Sequence, residues 1–499
     1  MAATTFLGID LGTSSVKAAI LDTTGDLLGQ ADADYPVDRP LVGWAETSPR
    51  AWWDAVISAT RAAVHQAGGV QPVSVGFSGQ MHGVVLCSEG GDPVRPAVLW
   101  ADARAEHQLD PYRSLDASVR RRLANPLSPG MAGPILAWLG EHEPASMAAA
   151  RWALQPKDWI RSRLTGTYGA EPSDASATLL YDVCTENWSP EVLEALRIRA
   201  DLLPAIAPHS ATTAGTLHEP AARDLGLTPG IPVAMGAADT AAAMLGAGLT
   251  ERGQVQLTIG TGVQIVTPTA APDTAAHPVW AEPTTHLYRA ATPHGWYVMA
   301  AGLTGGQTLT WVRAILGATW GELYDAANHQ ACRDDPIFVP HLVGERTPFM
   351  DTGMRGAWTG LSARHGRREM LYAALEGVAF AIADGLDALP GGRGAGAGLR
   401  LAGGGTVAPA WRELLATVLD VDLYAVDVPA ASARGAALLG AWTHGSMATV
   451  PDGVRPRLVA SPVPNDMLVD RRHSYRDQVQ ALRRMTSSRA GSTSGSDEL

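Results

Sequence analysis

The sequence of 499 residues has very little lysine and cysteine and no long apolar segment. Lysine occurs only as Lys17 and Lys157, so arginine carries nearly all of the positive charge, and the formal net charge is −12. This balance argues against nucleic acid or an anionic membrane surface as the main partner. No apolar run reaches the ~20 residues that a membrane span needs, and strand residues begin by Phe6 without a basic or apolar leader. We therefore expect no membrane attachment.

The three cysteines, Cys87, Cys184 and Cys332, are far apart and show no metal-ligand spacing. Their odd number and wide separation favour buried thiols in a reducing compartment over disulfides. The sequence thus predicts a cytoplasmic protein.

The sequence also lacks the Gly-x-x-x-x-Gly-Lys-Ser/Thr pattern of P-loop nucleotide sites, which excludes that route to ATP. It has instead one aspartate in each half that lies near a turn of glycine and hydroxyl residues. Asp10 ends an apolar strand before Gly12-Thr13-Ser14, and Asp239 precedes Gly260-Thr261-Gly262. Such turns direct backbone N–H groups into one concavity, which suits a polyphosphate. A nearby acid suits a metal ion and a hydroxyl nucleophile, so the pattern predicts an ATP site between two lobes and phosphoryl transfer.

Each of these segments also has a purely structural interpretation. Asp10 could cap a turn, Asp239 could be the N-cap of a helix, and Gly260-Thr261-Gly262 could be a hairpin turn. The occurrence of an acid with such a turn in both halves favours the functional interpretation.

Three further segments suit a pocket for a polyhydroxylated substrate and a nucleotide. Gln80-Met81-His82-Gly83 lies between two short strands, and its amide and imidazole can hydrogen-bond several hydroxyls, although a lone loop histidine is a common structural feature. Trp100 and Asp102 end another strand beside Arg104, where a surface ion pair is an equal alternative. Gly403-Gly404-Gly405 joins a strand to a helix and lets a flat ring or a phosphate approach the backbone, as would a plain turn.

The order of the predicted elements indicates an α/β fold with two lobes. Strands alternate with helices along the chain, and 499 residues exceed what a single core can serve. The pattern predicts a β-meander over residues 6–35 and a long helix over about 48–67 with Ser48 as its N-cap. The second half repeats this plan, so we expect an internally duplicated architecture.

Together these segments resemble the FGGY family of carbohydrate kinases, and within it most closely the xylulose kinases. The resemblance extends from Gly8 to about Trp442. It rests on segments that occur in the family's order: Gly8-Ile9-Asp10-Leu11-Gly12-Thr13-Ser14, Gly43-Trp44-Ala45-Glu46, Gln80-Met81-His82-Gly83, Pro156-Lys157-Asp158, Ser173-Asp174-Ala175-Ser176, Gly356-Ala357-Trp358-Thr359-Gly360-Leu361 and Gly403-Gly404-Gly405.

The resemblance implies an actin-like ATPase fold, in which two RNase H-like lobes enclose ATP and a sugar in an interlobe catalytic cleft. It implies a sugar-binding N-terminal lobe over residues 1–245 and a nucleotide-binding C-terminal lobe over residues 246–485. The Ser/Gly-rich tail over residues 486–499 is expected to be disordered. The implied reaction is the ATP- and Mg²⁺-dependent phosphorylation of D-xylulose to D-xylulose 5-phosphate. A homodimer is compatible with the family, although no segment indicates one.

The resemblance also implies roles for individual residues. Asp239 is expected to be the catalytic base, and Asp10 is expected to take part in catalysis by holding Mg²⁺. The sugar is expected to contact Gln80, Met81, His82, Trp100, Asp102 and Asp239. The ATP phosphates are expected at Gly12, Thr13 and Ser14 and at Gly260, Thr261 and Gly262, and the adenosine at Gly403, Gly404 and Gly405.

The sequence departs from the family pattern at three places. The first family signature has a lysine near the position of Ile135, and the second phosphate turn usually has a further hydroxyl where Gly262 precedes Val263. Relatives also tend to have more glycine in the segment Gly236-Ala237-Ala238 before Asp239. The sugar is therefore less firmly indicated than the fold. Kinases of another ketose or a polyol, such as ribulose, remain alternatives, and a more distant one is an actin-like ATPase or sugar sensor without sugar kinase activity.

Overall fold

The computed structural model describes residues 4–272, 283–390, 398–446 and 454–492, with side chains as far as residue 485. Its strands in chain order are β1 (Thr5–Leu11), β2 (Ser15–Asp22), β3 (Leu27–Asp34), β4 (Glu46–Thr47), β5 (Ser74–Gly79), β6 (Val85–Cys87), β7 (Ala97–Val98), β8 (Trp152–Leu154), β9 (Tyr181–Asp182), β10 (Asn187–Trp188), β11 (Thr213–Thr216), β12 (Pro232–Ala234), β13 (Ala237–Ala238), β14 (Val255–Ile259), β15 (Val263–Thr269), β16 (His286–Arg289), β17 (Trp296–Gly302), β18 (Ile337–Val339), β19 (Ala357–Thr359), β20 (Leu399–Ala402), β21 (Leu423–Ala425) and β22 (Arg457–Ala460).

The α-helices in chain order are α1 (Pro49–Gln66), α2 (Asp110–Ser114), α3 (Ala117–Leu123), α4 (Ala132–His142), α5 (Pro144–Ala149), α6 (Pro156–Thr165), α7 (Pro172–Ala175), α8 (Pro190–Ala195), α9 (Glu219–Leu225), α10 (Asp239–Gly246), α11 (Gly306–Ile315), α12 (Trp320–Asp325), α13 (Arg367–Asp387), α14 (Pro409–Leu419), α15 (Ala431–His444) and α16 (Asp466–Ser492).

The first large sheet is formed by the N-terminal half and has the order β11-β12-β5-β1-β2-β3, with β13 beside β5. β1, β2 and β3 are the predicted antiparallel meander, and β5 runs parallel to β1. The buried residues of β1 and β5 leave neither face exposed to water, so helices must cover both faces. Helix α1 covers one face of the meander.

Helix α1 shows how local sequence sets the ends of an element. It begins at Pro49, whose fixed φ and missing N–H suit the first helical position, and it ends before Gly68-Gly69, both with φ of 78°. Ser48 occupies the predicted N-cap position with extended backbone but makes no side-chain capping hydrogen bond. The buried stripe of the helix faces the sheet through Trp52, Val56, Ala59 and Ala63.

The second large sheet repeats the plan of the first. Its order is β16-β17-β15-β14-β20-β21-β22, in which β16, β17, β15 and β14 are mutually antiparallel neighbours and β20 and β21 run parallel to β14. Helix α13 is buried along most of its length against this sheet. The predicted α/β class and its duplicated architecture are therefore confirmed.

Helix α15 lies late in the chain but packs on the first sheet, against β1, β5 and α10. The backbone of α15 lies so close to the strands that only glycine, which has no Cβ atom, fits at two strand positions. A Cβ atom on Gly8 would lie 1.9 Å from the Ala433 carbonyl oxygen, and one on Gly76 would lie 1.8 Å from that of Ala436. A division of the chain at residue 245 therefore does not follow the packing of this helix, because the open face of the first sheet is covered from the C-terminal half.

The cysteines are free thiols, but their burial differs from the prediction. Cys87 is buried in β6, whereas Cys184 and Cys332 are exposed. Both exposed residues lie in turns whose backbone N–H groups are held by aspartates, Asp182 and Asp335, so the turn geometry and not side-chain burial fixes their positions.

The C-terminal helix α16 is fastened to α13 by a buried ion pair. The Arg471 guanidinium donates to both carboxylate oxygens of Glu376, at 2.7 and 2.6 Å. The helix continues to Ser492, so residues 486–492 of the tail predicted to be disordered extend it, because adding turns to an existing helix costs little. Residues 493–499 lie outside the described residues. Among the helices that are described, none has the length and apolarity to cross a membrane.

The contact between α15 and the first sheet can be tested by Gly76→Ala. The added methyl group would meet the Ala436 carbonyl at 1.8 Å. We expect the free energy of unfolding to fall by about 1–3 kcal/mol or more, as in overpacked cores. The measurement is urea unfolding followed by circular dichroism.

Gly140→Ala is the matched control because Gly140 is exposed inside α4 with nothing within 4 Å of the added atom. This change should leave stability unchanged or raise it by about 0.5–1 kcal/mol through helix propensity. Equal effects of the two substitutions would contradict close packing of α15 on the sheet.

Candidate active site

The predicted site residues of the first lobe lie at one edge of the first sheet. β1, β5 and β13 run parallel, with Asp10 opposite Ser78 and Ala238 opposite Gly79. The carboxyl ends of these strands therefore meet at the same edge, as in other open α/β sheets that bind ligands there. Asp10 and its turn, the segment Gln80-Met81-His82-Gly83 and the start of α10 at Asp239 follow those ends.

The second lobe brings its two glycine turns together in the same way. β14 and β20 are parallel neighbours, so Gly260-Thr261-Gly262 and Gly403-Gly404-Gly405 leave the sheet at one edge. Gly403 has φ of 87°, and a Cβ atom there would lie 2.5 Å from the Ile259 carbonyl oxygen. The N-terminus of α11 is tied to the first of these turns, because Gly306 N–H donates to the Gly260 carbonyl (2.9 Å). A helix N-terminus at this turn favours an anion.

A cleft of about 1360 Å³ separates these two edges. Residues from both lobes line it, and among the predicted site residues they are Met81, His82, Trp100, Asp102, Asp239, Gly260, Thr261 and Gly262. The lining residues among the described part of the chain do not include Gln80, Asp10, Gly12, Thr13, Ser14 or the turn Gly403-Gly404-Gly405. The sequence prediction of one site shared by both halves thus agrees with the geometry for the central residues.

Asp239 is the first residue of α10, and Ala238 occupies the N-cap position. Its Oδ1 accepts hydrogen bonds from the backbone N–H of Thr240 (2.5 Å) and from the Thr240 hydroxyl (3.2 Å). Burial and repulsion from Asp10 raise the pKa of Asp239 to about 7. The carboxyl group therefore exchanges its proton near neutral pH at the wall of the cleft.

Asp10 is buried on β1 behind that wall. Ser78 Oγ–H donates to its carboxylate at 2.9 Å. Burial raises the pKa of Asp10, although the Ser78 hydrogen bond and the charge of Lys17 oppose that rise. Among the described residues no cation forms an ion pair with this carboxylate, so an external cation would stabilise its charge.

The adjacent turn is connected to the cleft through Trp100. The indole N–H of Trp100 donates to the Thr13 hydroxyl at 3.1 Å, and Thr13 and Ser14 are exposed. A predicted sugar contact and a predicted phosphate contact are thus neighbours.

Gln80 does not face the cleft, which corrects its expected place beside the sugar. Its side chain is 1% exposed, and its Nε2 donates to the Gly12 carbonyl (3.2 Å) and to the Tyr35 hydroxyl (3.2 Å). The Tyr35 hydroxyl donates to the same Gly12 carbonyl. Gln80 therefore braces the turn that follows Asp10.

Met81 and His82 line the cleft. His82 has φ of 71°, and its Nδ1 lies 2.6 Å from the Ala177 carbonyl oxygen. A carbonyl only accepts, so Nδ1 carries the proton. Burial lowers the pKa of His82 to about 4, which keeps the ring neutral and leaves Nε2 as a hydrogen-bond acceptor.

Asp102 lines the cleft, but its carboxylate is occupied within the protein. It accepts hydrogen bonds from the Ala45 backbone N–H (2.6 Å) and from Arg104 (2.8 and 2.7 Å). Arg104 also pairs with Glu46 at 2.7 Å and lies 3.5 Å over the Trp44 ring. The alternative of an ion pair therefore describes Asp102 better than a sugar contact, although the pair is buried rather than on the surface.

Two residues of the second lobe reach the cleft without having been predicted there. His286 on β16 lies with its Nδ1 2.7 Å from the Tyr288 hydroxyl. Arg346 follows Glu345, whose Oε1 accepts hydrogen bonds from the backbone N–H groups of Leu303 (2.6 Å) and Arg346 (2.8 Å). The Arg346 guanidinium has no ion-pair partner among the described residues, and its charge contributes to the lowered pKa values of His82 and His286.

The sequence offered only an indirect signal for these two residues. Gly344-Glu345-Arg346-Thr347-Pro348 has the composition of a loop that positions the lobes, but no spacing relates position 346 to position 82. The proximity of Arg346 to His82 depends on how the two lobes dock.

The described residues hold no cluster of three or more histidine, cysteine, aspartate or glutamate side chains arranged for a metal ion. A metal that also binds phosphate oxygens needs fewer protein ligands, because Mg²⁺ keeps water and phosphate ligands in such sites. Asp10 is the described carboxylate whose place beside the first turn suits that arrangement.

Comparison with known proteins identifies the class. The FGGY family of carbohydrate kinases matches residues 5–246 with its N-terminal domain and residues 255–444 with its C-terminal domain. The chain therefore belongs to the FGGY family of carbohydrate kinases. Its two lobes are those of the actin-like ATPase fold, and the enzyme class is that of phosphotransferases that act on sugars and use ATP.

Individual relatives narrow the comparison. The chain is 32% identical to the xylulose kinase of Escherichia coli (strain K12) over 83% of this chain and 84% of the relative. It is 28% identical to the gluconokinase of Bacillus licheniformis over 88% of each chain. The crystal structure of xylulose kinase from Rhodospirillum rubrum superposes with a TM-score of 0.87 and 25% identity, covering 97% of this chain and 100% of that one.

The raised pKa of Asp239 predicts a pH-dependent cost to stability. The folded protein binds this proton more tightly than the unfolded chain, because the pKa rises from 3.8 to about 7. Stability from the protonated form is therefore lost as pH rises from about 4 to about 7. We expect the free energy of unfolding of Asp239→Asn, minus that of the wild type, to increase as pH rises from about 4 to about 7. Above pH 7 this difference should stay constant. Urea unfolding at a series of pH values measures this difference.

Asp116→Asn is the control for this titration. Asp116 is an exposed N-cap whose pKa is lowered by its hydrogen bonds to Ser118, so its contribution to stability has the opposite sign. A difference between Asp239→Asn and wild type that does not change between pH 4 and pH 7 would contradict the raised pKa.

Proposed function

We propose that the protein transfers the γ-phosphoryl group of ATP to the terminal 5-hydroxyl of D-xylulose, giving D-xylulose 5-phosphate. One observation carries the proposal: a single cleft is bordered by Asp239 and His82 of the first lobe and by Gly260-Thr261-Gly262 of the second. An acceptor hydroxyl and a polyphosphate placed on those two walls would face each other. The proposed sugar agrees with the names of the relatives that match most of the chain.

In this proposal Asp239 accepts the proton of the attacking hydroxyl. A general base is most effective when its pKa lies near the operating pH, and the pKa of Asp239 is raised to about 7. The two hydrogen bonds from Thr240 fix Oδ1 and leave the other carboxylate oxygen for the substrate. Phosphoryl transfer depends mainly on such positioning and on stabilisation of phosphate charge.

The nucleotide is proposed on the second lobe, with its phosphates at Gly260-Thr261-Gly262. Gly260-Thr261-Gly262 lies at the N-terminus of α11, where the helix dipole favours negative charge. The backbone N–H groups of Gly306 and Gln307 donate to the Gly260 and Thr261 carbonyls and so hold the turn in place. Gly403-Gly404-Gly405 leaves the same sheet edge and is proposed for the adenosine. Gly12-Thr13-Ser14 closes the first-lobe side of the phosphate site.

Asp10 fits a divalent cation because its carboxylate is buried beside the phosphate turn without an ion-pair partner among the described residues. Mg²⁺ bound there together with ATP would neutralise phosphate charge. Ser78 Oγ–H holds the carboxylate in place, and Gln80 and Tyr35 hold the Gly12 carbonyl that follows it.

The sugar is proposed on the first-lobe wall beside His82, Met81 and Trp100. His82 Nε2 supplies an acceptor for a sugar hydroxyl, and the exposed Trp100 ring supplies an apolar face. His286 and Arg346 border the same space from the second lobe. We also infer a cytoplasmic location from the three free thiols.

The position of Arg346 supports a second candidate function, the phosphorylation of an aldonate such as gluconate. A guanidinium without an ion-pair partner among the described residues would bind the carboxylate of such a substrate. ADP release measured with D-xylulose, D-ribulose, L-ribulose, xylitol, glycerol and gluconate decides between them. The proposal expects the highest kcat/KM with D-xylulose, and a higher value with gluconate or with another polyol would replace it.

The role of Asp239 is tested by Asp239→Asn, which keeps the shape of the side chain and removes the base. We expect kcat to fall by roughly 10²-fold or more, the scale of general-base contributions, with the fold retained. A coupled ADP assay with saturating sugar measures the effect. Asp116→Asn should leave kcat unchanged because Asp116 is exposed and does not itself line the cleft. Near-normal turnover of Asp239→Asn would rule out the role.

The role of His82 is tested by His82→Asn, since asparagine tolerates the positive φ of this position but lacks Nε2. Loss of one hydrogen bond should raise KM for the sugar by up to about 10-fold and leave KM for ATP unchanged. His65→Asn on the exposed end of α1 is the control. A rise in KM for ATP alone would place His82 on the nucleotide side.

A further inference from the structure

The proposed reaction leaves one buried ionic cluster without a role. The ammonium group of Lys157 lies 2.7 Å from Asp158, 3.2 Å from Glu171 and 2.9 Å from Asp174. The side chains of these four residues are at most 1% exposed, and none of the four lines the cleft. The buried Arg161 guanidinium also pairs with Asp158, so two cations are buried with three acids. Such burial is costly unless the hydrogen bonds of these groups are satisfied.

Glu171 is the member of this cluster that is fixed most completely. Its carboxylate accepts hydrogen bonds from the backbone N–H groups of Ser173 (2.9 Å) and Asp174 (2.9 Å), which makes it the cap of α7. It also accepts from the hydroxyls of Ser173 (2.7 Å) and Ser210 (2.8 Å). A carboxylate held by four donors and an ammonium group is a rigid point in the lobe.

Ser173 connects that rigid point to the wall of the cleft. Its hydroxyl has one proton, which it donates to Glu171, and its oxygen accepts a hydrogen bond from the backbone N–H of Ala238 at 2.8 Å. Ala238 is the N-cap of α10 and directly precedes Asp239. A chain of hydrogen bonds therefore runs from the Lys157 cluster through Ser173 to the backbone beside Asp239.

We propose that Ser173 is a positioning residue for Asp239, which it acts on through the backbone of Ala238. The inference rests on the proposed role of Asp239 as the base. Without the hydroxyl, the Ala238 N–H is buried without an acceptor, and the turn must shift to find one. Because phosphoryl transfer depends on the alignment of base, hydroxyl and phosphorus, such a shift slows the chemical step more than it weakens binding.

Ser210 provides a matched control in the same cluster. It is 1% exposed and its hydroxyl also donates to Glu171, but among the hydrogen bonds of the described residues its side chain has none to Ala238. Ser210→Ala and Ser173→Ala therefore remove equivalent buried donors from Glu171. Only Ser173→Ala also removes the acceptor of the Ala238 N–H.

The experiment compares kcat, KM and thermal stability of the two variants. Ser173→Ala should lower kcat by about 10-fold or more while KM for sugar and ATP changes by less than about threefold. Ser210→Ala should keep kcat within about twofold, with a similar loss of thermal stability. Equal losses of kcat, or a loss for Ser173→Ala that lies wholly in KM, would overturn the proposal.

Two further variants keep the test decisive if Ser173→Ala does not fold. Ser173→Thr retains a hydroxyl and should retain most of kcat, whereas Ser173→Cys fills the space with a weak acceptor and should lose it. Equal kcat values for these two variants would overturn the positioning role.

The Asp239→Asn background separates this proposal from the proposed function. Because Ser173 acts through Asp239, adding Ser173→Ala there should cost little of the remaining rate. If the second substitution costs the same factor in both backgrounds while Asp239→Asn is slow, the positioning role fails and the base remains. If Asp239→Asn itself turns over normally, Asp239 is not the base, and the positioning role that depends on it is ruled out as well.

Discussion

The carboxyl group of Asp239 lies at the wall of the cleft, and that of Asp10 lies buried behind this wall, where its charge opposes the ionisation of Asp239. Their proximity follows from the parallel alignment of β1, β5 and β13, which brings three strand ends to one edge. Burial and repulsion from Asp10 then bring the pKa of Asp239 to about 7. A group that gains and loses a proton near neutrality, facing a glycine turn of the other lobe, is what phosphoryl transfer to a hydroxyl requires.

The rest of the molecule holds that wall in place from several sides. Helix α15 comes from the far end of the chain and approaches Gly8 and Gly76 without intervening side chains, so the strands beneath the site pack directly against a helix of the C-terminal half. The Lys157 cluster fixes the backbone beside Asp239 from behind through Ser173. Gln80 and Tyr35 hold the turn after Asp10. These contacts are made by backbone atoms or by buried hydrogen-bonded side chains, and such contacts hold the groups they join rigidly.

The sequence predicted the parts of the site that follow directly from strand ends. Asp10, His82, Asp239 and Gly260 are set by local patterns of apolar strand, turn and helix start, and the structure brings their segments to facing edges. It could not predict side-chain direction within a loop, so Gln80 turns inward and Asp102 is taken up by Arg104. Arg346 and the packing of α15 were not predictable because they depend on docking of the lobes, which leaves no periodic trace in the chain.

The most direct measurement is the titration of Asp239 itself. Protein labelled with ¹³C at the aspartate carboxyl carbon, without sugar or nucleotide, gives one resonance that disappears in Asp239→Asn and so reports this group alone. The account expects that resonance to titrate with a midpoint of about 7. A midpoint near the ordinary aspartate value of 3.8 would contradict it, because the carboxylate would then be well hydrated and too weak a base for the role assigned to it.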